Sequence, residues 1–145
     1  MGQQGSIRDV RDYQEIQTLR AGYSHTIDRA IESGDWDDFV ALYTDDAVVD
    51  YPQATLHGHD EIEAFGHDLE DLYDYSMHTV QMPRLDIDGD EATGRWYMLV
   101  FYVAADGSEG YAVGYYEDEY RRVDGEWLFS RVTARVQEDS DGYHV

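Results

Sequence analysis

Cysteine is missing from this chain, which excludes disulfide bridges, thiol nucleophiles and thiolate metal sites. Lysine is missing too. All ten basic residues are arginines, set against 32 acidic ones, for a formal net charge of -22 over 145 residues. Recognition of phosphate needs basic patches, so nucleic acid is excluded as a partner, and anionic membrane surfaces are disfavoured for the same reason. No apolar run approaches the length of a bilayer span, and the opening "MGQQGSIRDV" has no signal-like segment, so a cytoplasmic protein is expected. A glycine-rich phosphate loop, a GxGxxG turn and a nucleophile elbow are all absent, which argues against nucleotide cofactors and serine hydrolysis; no cofactor is expected.

What the chain does have is apolar and aromatic material: 42% hydrophobic residues, 14% aromatics and 13 tyrosines. That is far above the composition of a disordered segment. A length of 145 residues suits one domain, expected over 1–145 with loose tails at 1–6 and 138–145, burying roughly two-thirds of its unfolded surface. Self-repulsion among so many carboxylates is relieved by molar salt, where the Debye length shrinks to about 3 Å, so the composition points to a halophile's interior.

The spacing of Ile16, Leu19, Tyr23, Ile27 and Ile31 predicts a long amphipathic helix ended by Gly34. Asp35 is the expected N-cap of a short second helix carrying Trp36, Phe39, Val40 and Tyr43. A brief strand follows in "AVVDY", and Ile62, Phe65, Leu69 and Leu72 mark a third helix. From Ser76 onward four β-rich runs are separated by "DGD", "ADGS" and "VDG", the Asp-Gly signals of hairpin turns. Pro83 marks a bulge or bend in the first of these strands, because proline cannot donate to the ladder. Helices first and strands afterwards predict an α+β layering: three N-terminal helices on a strongly curved antiparallel sheet that encloses a mostly apolar pocket.

His78 shares its predicted strand face with Val80 and Met82, so its ring points toward that pocket. Two readings stand for it, a hydrogen-bonded core or rim histidine and a catalytic base. His57 and His59 in "HGHD", together with His67 one helical step from Glu63, form a polar loop with a helix cap at His59 or Asp60 in preference to a metal site.

The pieces "YSHTIDRAIESGDWDDFVALYTDDAVVDY", "GHDEIEAF", "MHTVQMPRLDIDGDEATG" and "YYEDEYRRVDGEWLFSR" resemble the nuclear transport factor 2-like superfamily and, within it, the SnoaL-like branch of cyclases, dehydratases and isomerases. The resemblance covers most of the chain and implies a cone-shaped fold. It also implies an acid/base pair at Asp28 and His78, as in scytalone dehydratases and hexachlorocyclohexane dehydrochlorinases. Tyr23 falls where bile-acid dehydratases have a pocket tyrosine, and Tyr51 where scytalone dehydratases have theirs, though Tyr51 also reads as plain core. The chain departs from those relatives in two ways. Arg131 and Arg135 are the late arginines, and neither aligns with the relatives' pocket arginine; "WYMLVFYVA" supplies no extra carboxylate or second histidine.

The implied activity is a cofactor-free lyase or isomerase, dehydratase-like, that takes a proton from a small apolar substrate. The rival reading is a non-catalytic module of the same fold that binds an apolar ligand or a protein. A structural small subunit of a ring-hydroxylating dioxygenase is a third class. Exposed apolar strand faces, Val113 with Tyr115 or Tyr116 with Tyr120, suggest a homodimer through the sheet.

Overall fold

The computed structural model describes residues 7–140. Helix α1, Ile7–Ser33, buries the predicted stripe of Ile16, Leu19, Tyr23, Ile27 and Ile31. It stops at Gly34, whose φ of 79° lets its N–H return to the Ala30 carbonyl at 2.8 Å. Helix α2 is a single turn, Asp37–Val40, shorter than the stripe through Tyr43 predicts. Trp36 occupies its N-cap position, while the expected cap, Asp35, accepts the Asp37 N–H at 3.1 Å. The turn ends early because sheet bonding takes over: the Leu42 carbonyl receives the Phe129 N–H at 2.9 Å, and Tyr43 opens strand β1, Tyr43–Tyr51.

A four-residue strand, β2 Ala54–His57, turns back on β1 with Tyr51 opposite Ala54. Helix α3, Gly58–Leu72, begins a step earlier than the expected cap at His59 or Asp60. His57 takes the N-cap position, and Glu61 Oε1 accepts its N–H at 2.9 Å. Four long strands follow: β3 Tyr73–Asp88, β4 Glu91–Ala104, β5 Glu109–Val123 and β6 Glu126–Asp139. The last runs through Glu138 and Asp139, which pair with Val113 and Ala112, and the Ser140 N–H donates to the Tyr111 carbonyl at 3.0 Å, so these three are not tail; the other expected tail positions, 1–6 and 141–145, lie outside the described residues.

The strands form one sheet in the order β2-β1-β6-β5-β4-β3. It is antiparallel except where β1 runs parallel to β6, a correction to the all-antiparallel expectation. The helices pack on one side of this sheet, giving an α+β fold. At Pro83 the β3–β4 register shifts between Gln81 and Arg84, and Met82 adopts a φ of 57°. The bulge turns Met82 outward to 70% exposure, so Met82 leaves the face that His78 and Val80 share. Tyr116 and Tyr120 also depart from expectation. Both are fully buried on the inner face, where Tyr23, Phe39, Tyr43, Tyr116, Tyr120 and Phe129 meet as tilted and edge-to-face rings. Among the described residues no helix is long and apolar enough to cross a membrane.

Candidate active site

Strand β3 is an edge of the sheet, and its free backbone groups need a partner. Asp28, near the end of α1, supplies one. Its Oδ2 accepts the His78 backbone N–H at 3.0 Å, and its Oδ1 accepts both the Ser76 hydroxyl and the His78 Nδ1–H at 2.7 Å. Three hydrogen bonds thus lock the end of the helix to the strand edge. The His78 side chain is 1% exposed and that of Asp28 22%, so the carboxylate stands between solvent and a buried ring. With Nδ1–H held by Asp28, it is Nε2 that carries the lone pair in the neutral ring. That nitrogen is buried and has no hydrogen-bond partner.

Tyr23 and Asp28 point about 140° apart on an ideal helix, yet both reach His78. The Tyr23 ring lies edge-on to the imidazole with centroids 6.1 Å apart, because the sheet wraps the flank of α1. The Tyr23 hydroxyl meets the Tyr51 hydroxyl at 2.6 Å. Burial raises the phenol of Tyr23 well above its ordinary range and raises that of Tyr51 as well, so both are neutral donors at physiological pH. Tyr51 also packs in an apolar seam with Ile27, Trp36, Phe39, Leu56 and Phe65 that is closed too tightly to hold a water molecule. His78 is not among the residues that line it.

The structure therefore brings Asp28, His78, Tyr23 and Tyr51 into one neighbourhood. Arg131 and Arg135 lie elsewhere. They face outward, Arg131 near Asp50 at 3.8 Å and Arg135 on Glu117 at 2.7 Å. The inward residues of β4 are Ala92, Gly94, Trp96, Met98, Val100 and Tyr102, without a carboxylate or a second imidazole. His57 is exposed, His59 Nε2–H donates to the Tyr43 carbonyl at 2.9 Å, and His67 sits between Glu70 and Glu63.

Two residues packed behind Tyr23 have no place in the sequence analysis: Arg20, whose guanidinium lies over the Tyr23 ring, and Asp118, both fully buried and paired at 3.2 Å. Burial pushes the Asp118 carboxyl up, and the Arg20 charge opposes that push. A signal for Arg20 existed, since it lies on the same helical face as Ile16, Tyr23 and Ile27.

The model of the SnoaL-like domain matches residues 8–133. The chain belongs to the SnoaL-like domain family. Solved structures agree with this at the level of fold. A candidate aromatic ring hydroxylase of Novosphingobium aromaticivorans is 26% identical to this SnoaL-like chain, with 90% of this chain and 93% of that one covered and a TM-score of 0.84. A candidate scytalone dehydratase of the same organism is 24% identical over 94% and 91%, TM-score 0.82. A hexachlorocyclohexane dehydrochlorinase is 19% identical over 94% and 93%, TM-score 0.81. No curated protein matches this SnoaL-like chain in sequence.

Proposed function

We propose that this SnoaL-like protein is a dehydratase-like lyase or isomerase that needs no cofactor and acts on a small, largely apolar molecule held inside the cone. The observation that carries the reading is the 2.7 Å contact of Asp28 with His78 Nδ1, which leaves a buried, unpartnered Nε2. Nε2 accepts a proton from a carbon next to an activated one. The freed electron pair forms the double bond as hydroxide departs from the neighbouring carbon, and the imidazolium returns its proton to that hydroxide as water. Asp28 fixes the tautomer and stabilises the imidazolium, the role a carboxylate has beside a catalytic histidine. Tyr23 and Tyr51 stabilise charge that develops on a substrate oxygen.

Family membership and the dehydratase and dehydrochlorinase neighbours support this class of reaction. The test is turnover of cyclic β-hydroxy ketones and polyhalogenated cyclohexanes, followed by the absorbance of the new double bond. Removal of a general base typically costs 10²–10⁴-fold, so His78→Ala is expected to lose at least about a hundredfold in kcat and Asp28→Asn a comparable amount. Turnover unchanged in His78→Ala would contradict the proposal.

One observation favours the rival reading of a binding module: the residues β4 turns to the interior include no carboxylate and no imidazole, so the reaction must run on fewer polar groups than related enzymes use. A binder keeps its affinity for the same molecules in His78→Ala and shows no turnover in the wild type.

A further inference from the structure

Arg20 lies one turn before Tyr23 on α1 and is 0% exposed. Its guanidinium carbon sits 3.6 Å from the centroid of the Tyr116 ring and 4.3 Å from that of Tyr23. Asp118 is paired with it, Nε to Oδ2 at 3.2 Å and Nη2 to Oδ1 at 3.4 Å. Asp118 is anchored in turn by the Tyr120 hydroxyl at 2.7 Å, and Tyr120 by the Trp96 indole N–H at 3.0 Å. A buried ion pair of this kind seldom stabilises a fold better than apolar residues of the same volume would. Stability is therefore a poor reason for an arginine here, and Nη1 is left without a hydrogen-bond partner.

The Tyr23–Tyr51 bond gives a better one. At 2.6 Å it lies on the short side for two hydroxyls, and by position either oxygen could be the donor. A cation over the face of a phenol draws electron density from the ring, which makes its O–H a stronger donor and its oxygen a poorer acceptor. Tyr23 carries such a cation. Among the described residues the guanidiniums that lie over rings cover Tyr23, Tyr116, Phe129, Tyr115 and Trp127, and Tyr51 is not one of them.

We propose that Arg20, anchored by Asp118, sets the direction of the tyrosine pair: Tyr23 donates to Tyr51, and Tyr51 presents its own O–H to the substrate oxygen. Accepting one hydrogen bond strengthens the bond a hydroxyl donates, so the order Arg20, Tyr23, Tyr51 is a polarised relay. In it Tyr51, at the far end of the bond from Arg20, is the group that touches substrate; Tyr23 and Arg20 are positioning residues. The hydrogen bond from Tyr23 also acts against the upward push of burial on the Tyr51 phenol. This assignment rests on the proposed reaction for its purpose, but the direction of the bond is measurable without any substrate.

The experiment is NMR of the full chain labelled with 13Cζ-tyrosine, the ring carbons being assigned from Tyr23→Phe and Tyr51→Phe. A hydroxyl proton shut in a short buried bond exchanges slowly and gives its own downfield resonance. It is expected to correlate with the Tyr23 carbon; correlation with Tyr51 would overturn the relay. Arg20→Met should move that resonance upfield and Arg20→Lys should largely restore it. Asp118→Asn should move it further downfield, because a guanidinium stays charged when its partner is neutralised. Shifts of the same sign in Arg20→Met and Asp118→Asn would mark a purely structural role and refute the proposal. If Arg20→Met does not fold, the wild-type correlation and Asp118→Asn still decide. Loss of the His78 result with the proton on Tyr23 would remove the lyase and leave the relay; the opposite pair of results would do the reverse.

Discussion

A buried imidazole needs a partner for its N–H, since an unpaired polar group in a core costs a few kcal/mol. For His78 that partner is Asp28, a residue 50 positions away, and no periodicity links the two. Strand alternation in β3 correctly turns His78 inward, yet it leaves a core histidine and a base indistinguishable; the resemblance to acid/base pairs in related enzymes is what singles out Asp28 among 32 acidic residues. Tyr23 is the clearer case, because a tyrosine on the apolar stripe of α1 must be buried. Arg20 is legible in the same way, although its charge points the other way, since arginines on helices usually lie in solvent. Asp118 follows the same rule on β5, where its neighbours two away, Tyr116 and Tyr120, are inward residues. At this scale a charged residue placed in register with a hydrophobic face is the signal most worth reading.

Elements were read more completely than residues. Helices α1 and α3 and the four long strands followed from the 3.6-residue and two-residue periods and from the Asp-Gly turns, of which Asp124 and Gly125, with φ of 50° and 84°, are an example. Strand β2 did not, being four residues long, and neither did the parallel pairing of β1 with β6, which joins segments some eighty residues apart that no local pattern connects. What holds α3 against α2 is also non-local. The Trp36 indole N–H donates to Glu70 Oε2 at 2.6 Å, and its ring lies against Gly66, where an added Cβ would come within 2.5 Å of the indole. Gly66→Ala therefore forces Trp36 out of place, and overpacking of this kind costs about 1–3 kcal/mol. Urea unfolding should show the lowered midpoint with an unchanged slope; a midpoint equal to that of the wild type would mean that α3 rides freely over Trp36.

For the whole molecule, charge dominates. A net charge of -22 repels itself in dilute buffer, and salt bridges such as Arg122 with Asp12 at 2.8 Å and Asp90 at 2.8 Å remove only part of that strain. Against this field the outer face of the sheet carries one apolar patch: Met77, Phe101 and Tyr111 lie side by side across β3, β4 and β5, with Leu99 and Tyr97 beside them. We propose that two copies join over this face once salt screens their carboxylates. The thermal midpoint should rise steadily with potassium chloride up to molar concentration, and light scattering should report twice the 16.7 kDa chain mass. A midpoint indifferent to salt would show that the acidic surface places no load on the fold.

The proposed chemistry depends on which nitrogen of His78 is free. A 15N NMR spectrum of the imidazole in the intact chain measures that directly and needs no substrate. The proton is expected on Nδ1, shared with Asp28 and shifted downfield, with Nε2 showing the resonance of an unprotonated nitrogen. A proton found on Nε2 in the neutral ring would leave no base facing the interior and would contradict the proposed reaction.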